Sequence, residues 1–123
     1  MKELESLEDI KLMVDSFYDK VNQDDLLSPV FNEHAKIDWE THLPKMYNFW
    51  DTILFSRGDY KGSPYQKHEE LPVMKDHFDR WLLLFSQTVD QLFEGHMAEE
   101  AKKRATVIGI TFWSKIAQVR NLS

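Results

Sequence analysis

Apolar residues recur every three or four positions along most of the chain, the spacing of one helical face, and no stretch alternates as a half-buried strand would. In the first run Ile10, Met13, Val14, Phe17, Tyr18 and Val21 form one stripe that ends near Asn22. Ser6-Leu7-Glu8-Asp9 leads into it, a hydroxyl followed by a carboxylate, each able to take up an unpaired N–H of a first turn. Residues 24–32 form a connection with Pro29, in which Val30 and Phe31 turn inward. A second stripe carries Leu43, Met46, Phe49, Trp50, Ile53 and Leu54. Pro44 has no N–H and suits a first turn, so this helix is predicted to start near residues 41–43, with Trp39 in a preceding turn. Residues 57–72 hold Gly58, Gly62, Pro64 and Pro72 and predict a loop with at most a short turn around His68. That loop is long for an idle connection, which favours a functional segment. A third helix over about 76–93 turns Phe78, Trp81, Leu82, Phe85, Val89 and Leu92 inward, with Gly95 closing it. The last, over about 98–119, runs along Ala101, Ala105, Ile108, Phe112, Ile116 and Val119. The pattern predicts an all-α fold of about four long helices.

Composition narrows the role. A chain of 123 residues suffices for one domain spanning 1–123 around one core. Eight Phe, four Trp and four Tyr are many rings for that size, and imply a dense core or a flat apolar ligand that completes it. A formal charge of −6, spread along the chain, argues against nucleic acid and against docking on anionic membranes. Without cysteine there is no disulfide framework, thiolate nucleophile or zinc–thiolate site. The acidic N-terminus carries no leader-like apolar run, and no apolar stretch approaches membrane-spanning length, so a soluble cytoplasmic protein is expected. No interface helix stands out, and a monomer is the expectation.

Few residues invite chemistry. The chain has no Glu-x-x-His pair, HExxH, Walker loop or GxGxxG. His96-x-x-Glu99 has metal-like spacing but falls at an exposed helix start, and His34, His77 and His96 read as polar surface or capping residues. His42 shares a face with Met46 and reads either as a core-edge histidine bonded to the backbone or as a pocket residue. His68, between Pro64 and Pro72, reads either as a loop histidine or as an inward ligand whose other nitrogen bonds a carbonyl. Tyr18 and Trp81 fit the core. If both faced one cavity, their O–H and N–H would suit a small diatomic.

Taken together, five segments resemble the group III truncated globins. They are Phe17-Tyr18-Asp19-Lys20-Val21, Pro29-Val30-Phe31-Asn32, Trp39-x-x-His42 through Asn48-Phe49-Trp50, Gly58-Asp59-Tyr60-x-Gly62-x-Pro64-x-x-Lys67-His68, and Phe78-x-x-Trp81-Leu82-x-Leu84-Phe85. The resemblance spans about residues 8–117, and the missing Gly-Gly pair agrees with it. It implies a two-over-two helical sandwich around haem b (protohaem IX). It places the proximal iron ligand on His68, the distal tyrosine, histidine and tryptophan on Tyr18, His42 and Trp81, and a ring on the porphyrin face at Phe31. Met46, Tyr65 and Phe78 would line the haem, Lys67 and Arg80 would pair with its propionates, and His42 at the mouth would gate access.

A neutral histidine below ferrous haem leaves a position open to O2, NO or CO. Two donors in a dry pocket, each worth roughly 1–3 kcal/mol, would slow O2 release by on the order of a hundredfold. That suits ligand chemistry better than delivery. Oxidation of NO to nitrate and peroxidase-like turnover both need an external reductase, since no flavin or nicotinamide motif is present. Whether the chain is an enzyme stays open. The competing reading is a haem-free helical ligand-binding or interaction domain, in which all four residues are ordinary core and surface. A non-haem metal hydrolase is disfavoured by the lack of clustered carboxylate–histidine spacing.

Overall fold

Helix α1 (Leu7–Gln23) starts at the cap its sequence predicts: the Ser6 hydroxyl accepts from Asp9 N at 3.1 Å, and the Asp9 carboxylate accepts from Ser6 N at 3.1 Å. Burial works against the Asp9 charge, but the Ser6 and Glu5 N–H groups and Lys2 outweigh it and hold the carboxyl below its usual range. A computed structural model describes residues 1–62 and 64–121, the side chain of Gln66 excepted. After α1 come a single wide turn at Val30–His34, α2 (Trp39–Phe55), the short α3 (Pro64–Glu69), α4 (Lys75–Leu92) and α5 (His96–Val119). Among the described residues no strand forms, and Lys2 pairs with Phe93 in an isolated bridge.

Two boundaries differ from expectation. Helix α2 begins at Trp39, because the Asp38 carboxylate accepts from Glu40 N at 3.2 Å and its carbonyl accepts from His42 N at 2.8 Å. Pro44 therefore sits in the second turn and forfeits a bond to the Glu40 carbonyl; both residues are exposed, so water can serve that oxygen. Gly95, expected to close the third helix, instead opens the fourth long one. Helix α4 ends at Leu92, Phe93 is extended, and Gly95 at φ +112° is the residue before α5. A Cβ there would lie 2.3 Å from the Glu3 carboxylate, which caps α5 by accepting from Met97 N and Ala98 N at 3.1 Å. His77 does take the expected capping role, accepting from Met74 N at 3.0 Å.

Helix α1 packs on α2 and α4, and α4 packs on α5, giving two layers of two helices. Phe17 is the hub. Its ring meets Phe85 at 5.3 Å and Trp81 at 5.7 Å, both edge-on, while Trp50 stacks on Phe85 at 4.8 Å. Gly109 lets α4 and α5 approach, since a Cβ there would press Leu82 at 3.2 Å. No helix among the described residues is long and apolar enough to cross a membrane.

Candidate functional site

The apolar interior divides into two clusters. The larger contains Tyr18 and packs against Trp39, Met46 and Trp81; the smaller contains Val30, Val73, Phe78 and Ile116 and packs against Tyr65, Leu71, Phe112 and Trp113. Phe31 touches both. A chain this small ordinarily builds one core, whereas here the apolar residues fall into two aromatic walls on which Phe31 packs in common.

The first wall is built from α1, the wide turn and α2. Tyr18 meets Trp39 at 5.2 Å, His42 at 5.5 Å and Phe31 at 5.9 Å between ring centroids. Trp39 is pinned by its N–H, which donates to Asn32 Oδ1 at 2.9 Å. Burial alone pushes the Tyr18 phenol up, so it stays a neutral donor. His42 Nε2 is buried with no partner. Burial first, then Lys67, Lys45 and His68, lowers the His42 pKa to about 4, so the ring is neutral near pH 7. Met46 is half-buried one turn further along α2, and Trp81 reaches the wall from α4, stacked on Phe85 at 5.9 Å.

The second wall is α3 on α5. His68 Nδ1 lies 2.6 Å from the Pro64 carbonyl. A carbonyl only accepts, so Nδ1 carries the proton and the neutral ring keeps its lone pair on Nε2. Burial, partly offset by this bond, lowers the His68 pKa and favours that neutral form. Phe112 packs on the His68 ring at 5.1 Å and on Tyr65 at 5.6 Å, while Phe78 faces Trp113 at 6.4 Å. Burial, then the nearby Glu69 carboxylate, pushes the Tyr65 phenol up, although its hydroxyl makes no hydrogen bond. Of the two basic residues singled out, Lys67 is exposed, whereas Arg80 binds Asp24 at 2.5 Å. Burial opposes the Asp24 charge, but Arg80 and the Leu27 and Leu26 N–H groups hold its carboxyl low.

Next to this wall, a cavity of about 510 Å³ opens between α2, α3 and α5, lined by Phe49, Ile53, Pro64, Val107, Ile108 and Phe112 and by the charged Glu100, Lys103 and Arg104, and by none of the site residues singled out from sequence. That is within the size range of cofactor sites. Phe112, Phe49 and Ile108 were read as plain core, because a residue lining a ligand has the same periodicity as one lining a neighbouring helix. The residues fit a flat, apolar, iron-bearing group. They supply a divided aromatic core, one imidazole with a free lone pair, and an unpartnered buried imidazole on the other wall. Among the described residues no cluster of three or more His, Asp or Glu gathers to hold a metal by side chains alone.

Comparison with known proteins agrees with that geometry. The family described as Bacterial-like globin matches residues 4–112. The group 3 truncated hemoglobin ctb of Campylobacter jejuni is 34% identical over 109 residues, covering 85% of this chain and 86% of the relative. A crystal structure of a group III truncated hemoglobin from Campylobacter jejuni matches with a TM-score of 0.85 at 34% identity, covering 94% of this chain and 95% of that one. The two-layer helical fold is that of a globin, and this chain belongs to the bacterial-like globins as a group III truncated one. Membership brings haem and diatomic-gas binding, and decides between the two readings left open above in favour of the haem protein.

Proposed function

We propose that this globin holds haem b between its two walls through His68 Nε2 and handles O2 and NO as reactants rather than as cargo. The observation that carries the reading is the His68 ring, whose Nδ1–H is committed to the Pro64 carbonyl at 2.6 Å. That bond fixes tautomer and ring plane, and raises the donor strength of Nε2. Haem bound there would supply an iron centre able to take O2, NO or CO.

The chain's own residues do the rest. Phe31, Met46, Tyr65 and Phe78 supply apolar contact to the macrocycle and exclude water. Lys67 pairs with a propionate, and Arg80 joins it through the donors that Asp24 leaves free. Tyr18 and Trp81 donate to a ligand with partial negative charge, which favours O2 over CO. His42 is neutral near pH 7, so it swings at the mouth without carrying a charge through an apolar pocket. Conversion of NO to nitrate, or of a peroxide, draws electrons from a separate reductase. The chain acts as a single cytoplasmic domain and a monomer.

Stopped-flow O2 dissociation tests the donor assignment. Tyr18→Phe and Trp81→Phe are each expected to release O2 roughly tenfold faster, since a buried hydrogen bond is worth about 1–3 kcal/mol. Unchanged rates in both variants would remove the donors from the account.

A further inference from the structure

We propose that Arg120 is a positioning residue for His68: from the end of α5 it fixes the backbone just beyond α3, and so sets the height and tilt at which the imidazole meets the iron. This rests on the assignment of His68 as the axial ligand. Helix α3 has six residues, Pro64–Glu69, too few to hold its own shape in water. It borrows shape from α5, on which it packs.

The grip has two points. Phe112 lies against the His68 ring at 5.1 Å. A little over two turns later, the Arg120 fork spans two carbonyls past α3: Nη2 donates to Leu71 O at 2.9 Å and Nη1 to Val73 O at 2.6 Å. Leu71 N in turn donates to the His68 carbonyl at 3.1 Å, and Val73 N donates to Leu71 O at 2.8 Å. The His68 backbone is therefore two hydrogen bonds from the guanidinium, through one residue.

Val73 is buried, so this corner cannot drift outward without exposing apolar surface. The cation also suits the end of α5, where the helix carbonyls are unpaired. A planar fork can hold two carbonyls at a fixed separation, whereas a lysine ammonium reaches as a single point. Arg120 bonds the backbone carbonyls of Leu71 and Val73 rather than the His68 ring, so its influence on the imidazole passes through that backbone.

The test measures hemin loss to an acceptor globin and the Fe–His stretching band of the ferrous protein, in full-length wild type, Arg120→Met and Arg120→Lys. Far-UV circular dichroism checks helix content. Arg120→Met is expected to lose hemin about tenfold faster and to shift or broaden the Fe–His band at unchanged helix content, with Arg120→Lys in between. In His68→Gly filled with free imidazole, which is not tied to α3, adding Arg120→Met is expected to leave the iron–imidazole band unmoved.

An unmoved Fe–His band in the Arg120 variants overturns the proposal, even if thermal stability falls, because a corner latch alone would do that. A shift that persists in the imidazole-filled background overturns it as well. If Arg120→Met fails to fold, Arg120→Lys decides: a shifted band supports the proposal and a wild-type band overturns it. Wild type that takes no hemin, or ligates it without His68, sinks the parent assignment and the proposal with it, and does so in the protein with Arg120 intact.

Discussion

His42 and His68 are both imidazoles with lowered pKa values, one on each wall, but they are bonded differently. His68 has its Nδ1–H tied to Pro64 and a lone pair to offer, whereas His42 has a buried Nε2 with nothing to bond. Their titration should be visible in the haem-free protein. The His42 pKa of about 4 lies below its unfolded value. Well above pH 6.5 the ring is neutral in both states and contributes no pH dependence. As pH falls from there to 4 the unfolded chain takes up the proton first, and the fold loses stability. Urea unfolding of apoprotein at pH 7 and pH 4.5 checks this: His42→Gln is expected to lose less stability across that interval than wild type. An equal loss in both proteins would show that His42 titrates normally. Neither bonding pattern was legible in the sequence, because a histidine at a core edge and one beside a cofactor have the same neighbours along the chain.

At the scale of elements, the stripes of α1, α4 and α5 were legible because apolar spacing and packing face are the same information. Boundaries were less so. Pro44 argues for a start near residues 41–43 with Trp39 outside α2, but in the fold the Asp38 carboxylate caps the helix so that it begins at Trp39. Gly95 was assigned to the wrong helix because its reason lies far off in sequence, in the Glu3 carboxylate that fills the space a Cβ would need. The wide turn at Val30–His34, which sets Phe31 against both clusters, had no signature beyond Pro29. Capping energetics give a check at this scale. Asp9→Ala removes the acceptor of the Ser6 and Glu5 N–H groups and is expected to cost about 1 kcal/mol in denaturant unfolding, with the unfolding slope unchanged. No change in midpoint would mean the box is not formed in solution.

For the whole molecule, the consequence is a core in two parts, which haem would join under the proposed function. Among the described residues α3 packs mainly on α5, while Phe78 of α4, Val30 of the wide turn and the shared Phe31 tie the second wall to the rest. Hemin that binds only the folded state stabilises it by mass action, about 2.7 kcal/mol at a hundred times its dissociation constant. Thermal melting of apo and hemin-loaded protein is thus expected to differ by on the order of 10 °C. Coincident melts would mean the walls need no cofactor between them. The family could be read from five ordered segments, while the division of the core could not, since periodicity marks what is buried and says nothing of what it is buried against.

The central claim is that His68 holds the iron. The most direct measurement is the ferrous–CO absorption spectrum of hemin-loaded wild type beside His68→Gly, with and without added imidazole. A sharp Soret band in wild type, weakened or lost in the variant and restored by imidazole, is the expected result. A variant spectrum identical to wild type without imidazole would contradict the account, because another side chain would then be carrying the haem.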